Sequence, residues 1–169
     1  MAFEGPISEA MELLEAAVLA SDTFVNQCSL DGLDPTEQVF FHSLRPEFES
    51  NVIRPTPIQR PFVLIKAEGF RLVRNFDNCF DPMSTPRIHI QDKYRGENFR
   101  ESTIEFSNFI GKLLTDIWKY GQTNTALAIK QFIQTTDPTA TRRTEHGTDY
   151  TFWFAEYDVQ SGYEAQTSE

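Results

Sequence analysis

The chain has 169 residues, 40% hydrophobic and 24% charged, which argues against wholesale disorder and leaves room for one domain with a real core. A formal charge of −10 argues against a surface that grips nucleic acid, because such surfaces need clustered Lys and Arg. Fifteen Phe and two Trp are a heavy aromatic load, suited to a core and also to protein interfaces.

Cys28 and Cys79 form neither a C-x-x-C pair nor a Cys/His repeat, so two free thiols in a reducing compartment are expected. The opening Met-Ala-Phe-Glu-Gly-Pro lacks the basic, apolar and cleavable parts of a signal peptide, and no apolar run has membrane-spanning length. These features predict synthesis and use in a cytoplasm, or in a particle assembled there, without a membrane.

In chain order, Ile7, Met11, Leu14, Val18 and Val25 predict a first helix from Ile7 to about Val25, with Pro6 just outside its start. Asp31-Gly32-Leu33-Asp34-Pro35 is turn chemistry, and 38–44 reads as a short strand. Prolines 46, 55, 57 and 61 make 45–61 an extended arm that cannot be helical throughout. Phe62-Val63-Leu64-Ile65 is the continuous apolar run of a strand covered on both faces. Glu68-Gly69 then predicts a turn into a partner strand, Phe70 to Arg74. The segment Asn75 to Pro86 reads as a loop carrying Phe76, Phe80 and Met83. Arg87 to Lys93 alternates, with Ile88 and Ile90 on one side and His89 and Gln91 on the other.

The strongest single signal is an amphipathic helix from Ser102 to Tyr120. Phe106, Ile110, Leu113, Ile117 and Tyr120 share one face, widened by Phe109, Leu114 and Trp118. Ser102 with Glu105 predicts a capping box, and Gly121 a C-terminal stop. Two strands follow, 126–135 and 148–159, joined by a polar loop from Asp137 to Gly147 with Arg142-Arg143 at its tip. Residues 1–159 thus form one α+β domain, a mostly antiparallel sheet with two amphipathic helices on one face, and 160–169 a frayed polar tail.

Chemistry-bearing patterns are sparse. His42, His89 and His146 show no zinc-ligand spacing. Asp77-Asn78-Cys79-Phe80-Asp81 fails as a calcium loop, because glycine is missing at its sixth position and Ile88 stands where a bidentate Glu is needed. No nucleophile-elbow, Walker or dinucleotide pattern is present, and no catalytic residue, cofactor or metal is expected. His89, between two Ile, reads as a surface or half-buried histidine.

The order of elements is more telling. A leading helix ends in a Ser-x-x-Phe step (Ser21, Phe24), followed by a Pro-hydrophobic strand at 61–65, a further strand, the FSNFIGKLLTDI helix at 106–117, and a closing hairpin. Across residues 7–158 this resembles the tail terminator and neck-type minor tail proteins of tailed phages and related contractile particles. The resemblance implies a structural virion protein, not an enzyme. Such a protein assembles in the host cytoplasm into a homo-oligomeric ring, commonly a hexamer, that caps the tail tube and joins it to the head connector. DNA would pass through the channel without specific binding. Phe76, Phe80, Met83, Arg54 and Ile58 are then candidates for the contact between subunits, and Arg142 and Arg143 for the tail tube. The acidic 28–60 stretch and the 75–86 loop are longer than a minimal member needs. The competing reading is a small cytoplasmic adaptor that binds a partner protein without catalysis.

Overall fold

A computed structural model describes residues 6–42, 59–66, 70–74, 80–124, 127–145 and 147–163. Three helices, α1 (Pro6–Leu19), α2 (Asp22–Ser29) and α3 (Phe99–Asn124), pack on one face of a mostly antiparallel sheet, giving an α+β fold. Its strands are β1 (Val39–His42), β2 (Phe62–Lys66), β3 (Phe70–Arg74), β4 (Phe80–Ser84), β5 (Arg87–Lys93), β6 (Leu127–Glu145) and β7 (Thr148–Tyr163).

The expected first helix is two helices. Ser21 breaks the run, its extended backbone serving as N-cap of α2 while its hydroxyl accepts from the Phe24 N–H at 3.3 Å. That hydroxyl also donates to Asp116 Oδ2 of α3 at 2.6 Å, and the Thr23 hydroxyl reaches the same oxygen at 2.9 Å. A carboxylate thus sits at the N-terminus of α2, where the helix dipole favours it. Burial alone would raise the Asp116 pKa; the two hydroxyl bonds outweigh it and hold the group below its ordinary range.

The second helix is longer than its apolar period suggested. Asn98, not Ser102, caps α3: the Glu101 N–H donates to Asn98 Oδ1 at 3.0 Å, and the Glu97 N–H to Glu101 Oε2 at 3.0 Å. Ser102 is buried one turn inside and accepts the indole N–H of Trp153 at 2.7 Å. Gly121 does not stop the helix. It lets α3 lie close to β6, for a Cβ there would stand 3.0 Å from the Ile129 side chain. Trp118, assigned to the buried face, is 45% exposed.

The strand pairings describe two long hairpins side by side. β2 pairs with β5 from Phe62↔Gln91 to Lys66↔Arg87, and β3 pairs with β4 from Phe70↔Ser84 to Arg74↔Phe80. β3 is therefore the partner of β4 and not of β2, and Phe80–Ser84, expected as loop, is strand. β5 and then β4 run along one edge of β7, through Arg87↔Asp158 and Ser84↔Ser161. β6 takes the other edge of β7 from Leu127↔Tyr163 to Glu145↔Thr148. β1 joins β2 in parallel, Val39↔Val63.

Two boundaries move with this arrangement. Asp137–Glu145 is strand, not loop, its irregularity absorbed by register shifts near Gln134, Thr136 and Thr139 around Pro138. β7 continues past Val159 to Tyr163, with Ser161 buried, so the chain is ordered beyond the expected start of a frayed tail. Most of the proline-rich arm lies outside the described residues.

The core lies between helices and sheet. Leu13, Leu14, Ala17 and Val18 of α1, Phe24 and Cys28 of α2, and Phe106, Phe109, Ile110, Leu113 and Ile117 of α3 share one apolar cluster with Val63, Ile65, Ile88, Ile90, Trp153, Ala155, Tyr157 and Val159. Burial pushes the Cys28 thiol up to about 12, so it is a packing group rather than a nucleophile.

Candidate functional site

Alternation along a strand sends every second side chain of β2, β5 and β7 to the face away from the helices. That face carries Phe62, Leu64 and Lys66, then Arg87, His89 and Gln91, then Phe152, Phe154, Glu156 and Asp158, set in register. Much of it is buried: Arg60, just before β2, is 4% exposed and His89 9%.

A chain of hydrogen bonds crosses this face. Arg60 Nε donates to Gln91 Oε1 at 2.9 Å, which leaves the Gln91 amide N–H₂ to donate to His89 Nε2 at 2.8 Å. The His89 Nδ1–H then donates to Glu156 Oε1 at 2.7 Å. These roles follow from the donors available, since a guanidinium can only donate. Glu156 also accepts Lys66 Nζ at 3.0 Å, and Arg87 Nε pairs with Asp158 at 2.9 Å. The Arg60 guanidinium stacks 3.7 Å above the Phe152 ring, and the His89 and Phe154 rings stack at 5.8 Å.

The electrostatics agree with neutral His89. Burial lowers its pKa, and the nearby Glu156 recovers only part of the shift. Glu156 is held below its ordinary value: burial opposes this, and the bonds to Lys66 and His89 outweigh it. His89 is therefore a satisfied buried histidine with both ring nitrogens engaged. The network links β2, β5 and β7 in the observed register, and each of its members already has a partner.

A second polar cluster ties the turn after α2 to the end of β5. Arg95 reaches Asp31 at 2.5 Å and Asp92 at 3.0 Å, Lys93 reaches Asp31 at 2.8 Å, and Gln27 donates to Asp92 at 2.6 Å. Among the described residues no group of three or more His, Cys, Asp or Glu is placed to hold a metal ion. No described helix is long and apolar enough to cross a membrane.

The residues singled out from the sequence fall at opposite ends of the long hairpin. Arg142 and Arg143 lie in β6 opposite Thr151 and Tyr150, beyond the point where β5 ends its pairing at Lys93↔Phe152. Arg142 pairs with Asp149 at 2.6 Å, while the Arg143 guanidinium lies 5.9 Å from the Phe152 ring. Adjacent strand residues face opposite sides, so the two cations do not form one patch. Phe80 and Met83 belong to β4, where Met83 lies opposite Gly162. Tyr150 and Gly162 stand twelve positions apart in β7, about 40 Å along a strand. Phe76, Arg54 and Ile58 lie outside the described residues, as do His146 and Cys79.

Sequence reasoning missed Arg60, Gln91 and Glu156 as a group with His89. The available signal was the matching alternation of 88–91 and 152–158, which places the polar and aromatic residues of both strands on one face once they are paired.

The sequence matches no protein-family model and no curated protein. Among solved structures it is similar to a chain of the "Virion of native gene transfer agent (GTA) particle", with 7% sequence identity and a TM-score of 0.44. The likeness spans 94% of this chain and 99% of that one; at that distance it carries no property of the particle over to this chain.

Proposed function

We propose that this chain is a non-catalytic structural protein of a virion, a tail terminator or neck component that closes into a ring between tail tube and head connector. The observation that carries the reading is the β6–β7 hairpin, which runs from the β4 end of the sheet to a two-stranded arm beyond β5. A joining protein has to meet different partners at two separated ends, and this hairpin offers two separated ends on one element. The resemblance in element order supports the same role.

In this reading Arg142 and Arg143, on the arm, meet the tail tube. Phe80 and Met83, at the other end, join Phe76, Arg54 and Ile58 in reaching the neighbouring subunit. A ring of this kind needs a heterologous contact whose rotation closes, here after six copies. The acidic chain would line the channel with like charge, so DNA passes without being held. Residues 1–159 act as one unit, assembled in the host cytoplasm before joining the particle.

The experiment is electron microscopy of the purified chain, alone and mixed with tail tubes, together with labelled localisation on particles. Rings seated at one end of the tube are the expected result. A chain that stays monomeric with tubes present and labels no particle overturns the proposal and favours the adaptor.

A further inference from the structure

The hydrogen-bond chain across the sheet face away from the helices has a direction, set at both ends. A guanidinium such as Arg60 can only donate, and an ionised carboxylate such as Glu156 can only accept. Between them stand two groups that do both, Gln91 and His89, with links of 2.9, 2.8 and 2.7 Å along the chain. Every donor in it meets an acceptor only while His89 Nε2 keeps its lone pair. The imidazole lies between the rings of Phe62 and Phe154, at 6.4 and 5.8 Å between centroids. A proton arriving on Nε2 leaves the Nδ1–H bond to Glu156 in place and makes it charge-assisted. On the other side it sets an N–H against the Gln91 N–H₂. Turning the Gln91 amide over restores that match by presenting Oε1 to His89. The same turn points the N–H₂ at the Arg60 Nε–H, so two donors face each other and the bond between Gln91 and Arg60 is lost.

We infer that this chain of groups is a pH-sensitive switch, in which protonation of His89 turns the Gln91 amide over and detaches Arg60 from it. Arg60 stands where the backbone enters β2, and it is held there in two ways. The Gln38 amide donates to the carbonyls on either side, Gln59 and Pro61, both at 2.8 Å. That clamp on the backbone does not titrate. The bond from the Arg60 side chain to β5 lasts only while His89 is neutral, so mild acid removes one clamp and leaves the other.

The groups facing the imidazole set where the change falls. Glu156 of β7 favours the proton, while Lys66 of β2 and Arg143 of β6 oppose it. Arg87, on the same strand as His89, is turned to Asp158 at 2.9 Å and lies 3.8 Å from Glu156, and Arg60 adds a further cation beyond Gln91. Burial lowers the pKa most, Glu156 recovers part of it, and Lys66 and Arg143 lower it again. The switch therefore acts below the ordinary histidine range. It stands independently of the proposed place in a virion.

The test is nitrogen-15 NMR of the full chain, following the His89 ring nitrogens, the Gln91 side-chain amide and the Arg60 Nε–H as pH is lowered from neutrality. The expected result is one shared midpoint for all three. Across it, protection of the Arg60 Nε–H from solvent exchange, relative to free arginine at the same pH, falls by about tenfold or more, the scale of one hydrogen bond to a charged group. In Gln91→Glu the carboxylate accepts from Arg60 and from protonated His89 alike. The His89 midpoint should then rise, and the Arg60 signal should hold steady through it. In His89→Gln the Arg60 signal should not respond over the same range. An Arg60 Nε–H that stays protected while His89 titrates in the parent chain overturns the inference. So does an Arg60 change that persists in either variant, or unfolding of the parent chain before His89 takes up its proton.

Discussion

On the helix side of the sheet, Ile88 and Ile90 join an apolar cluster with Leu113 and Ile117 of α3. One residue along the same strand, His89 and Gln91 enter a chain of directed hydrogen bonds from Arg60 to Glu156. Both faces bury side chains, but they do different physical work. Apolar burial is non-directional, so it drives the sheet and helices together without choosing among registers of equal burial. The polar face adds that choice: shifting β5 against β7 by two residues keeps every isoleucine on the core side and separates His89 from Glu156.

The comparison predicts the largest loss on the apolar side. Leu113 is 0% exposed, and Leu113→Ala should destabilise the fold by about 3 kcal/mol, through lost transfer energy and the cavity left behind. Urea denaturation followed by circular dichroism measures it; a loss below about 1 kcal/mol would mean that the helices pack only loosely on the sheet. Glu156→Ala should cost about 2 kcal/mol, because it removes the acceptor of both His89 and Lys66. If the polar face does set register, amide exchange along β5 and β7 should also speed up in that variant, and it should not in Leu113→Ala at matched stability.

A third prediction separates burial from capping on α3. Ser102→Ala leaves the Trp153 indole N–H without its acceptor and should cost about 1–2 kcal/mol, with a change in tryptophan fluorescence. Asn98→Ala should cost about 1 kcal/mol and loosen the start of the helix, changing the fluorescence less, through Phe99, whose ring lies 5.6 Å from that of Trp153. Reversal of these two signatures would reinstate Ser102 as the cap.

Those two residues also show what the sequence discloses. The fold class, the existence of α3 and its core positions were legible because periods of 3.6 and 2 are set by burial and recur over many residues. Helix ends were less legible. Ser102 satisfies the same local pattern as a cap, and only the indole of a strand 51 residues away shows that its hydroxyl is used elsewhere. Ser21 had the reverse fate, since its break depends on Asp116, far along the chain. The 137–145 stretch read as loop because Asp137 and Pro138 are turn residues; a strand bulge at the edge of a sheet accommodates both. The polar network was hidden for a related reason, as its members come from three strands whose pairing was not known.

The smallest effect is also the one that isolates His89. Its pKa is lowered by burial from the ordinary histidine value of 6.5, so the folded chain binds fewer protons at this site than the unfolded chain in the window just below that value. Stability from this site is therefore complete above pH 6.5 and declines as pH falls toward the lowered folded value. The carboxylates that are shifted, Glu156 beside it and Asp31, Asp34, Asp116 and Asp149 elsewhere, all move downward, so their contributions are lost only at more acidic pH. Denaturation midpoints between pH 7.5 and 5.5 should fall in the parent chain. In His89→Gln the fall should flatten, since an amide can hydrogen-bond but does not titrate there. An undiminished fall in that variant would assign the titration to another group. It would also remove the argument that the neutral ring, donating from Nδ1 and accepting at Nε2, is what the register of β5 and β7 is built around.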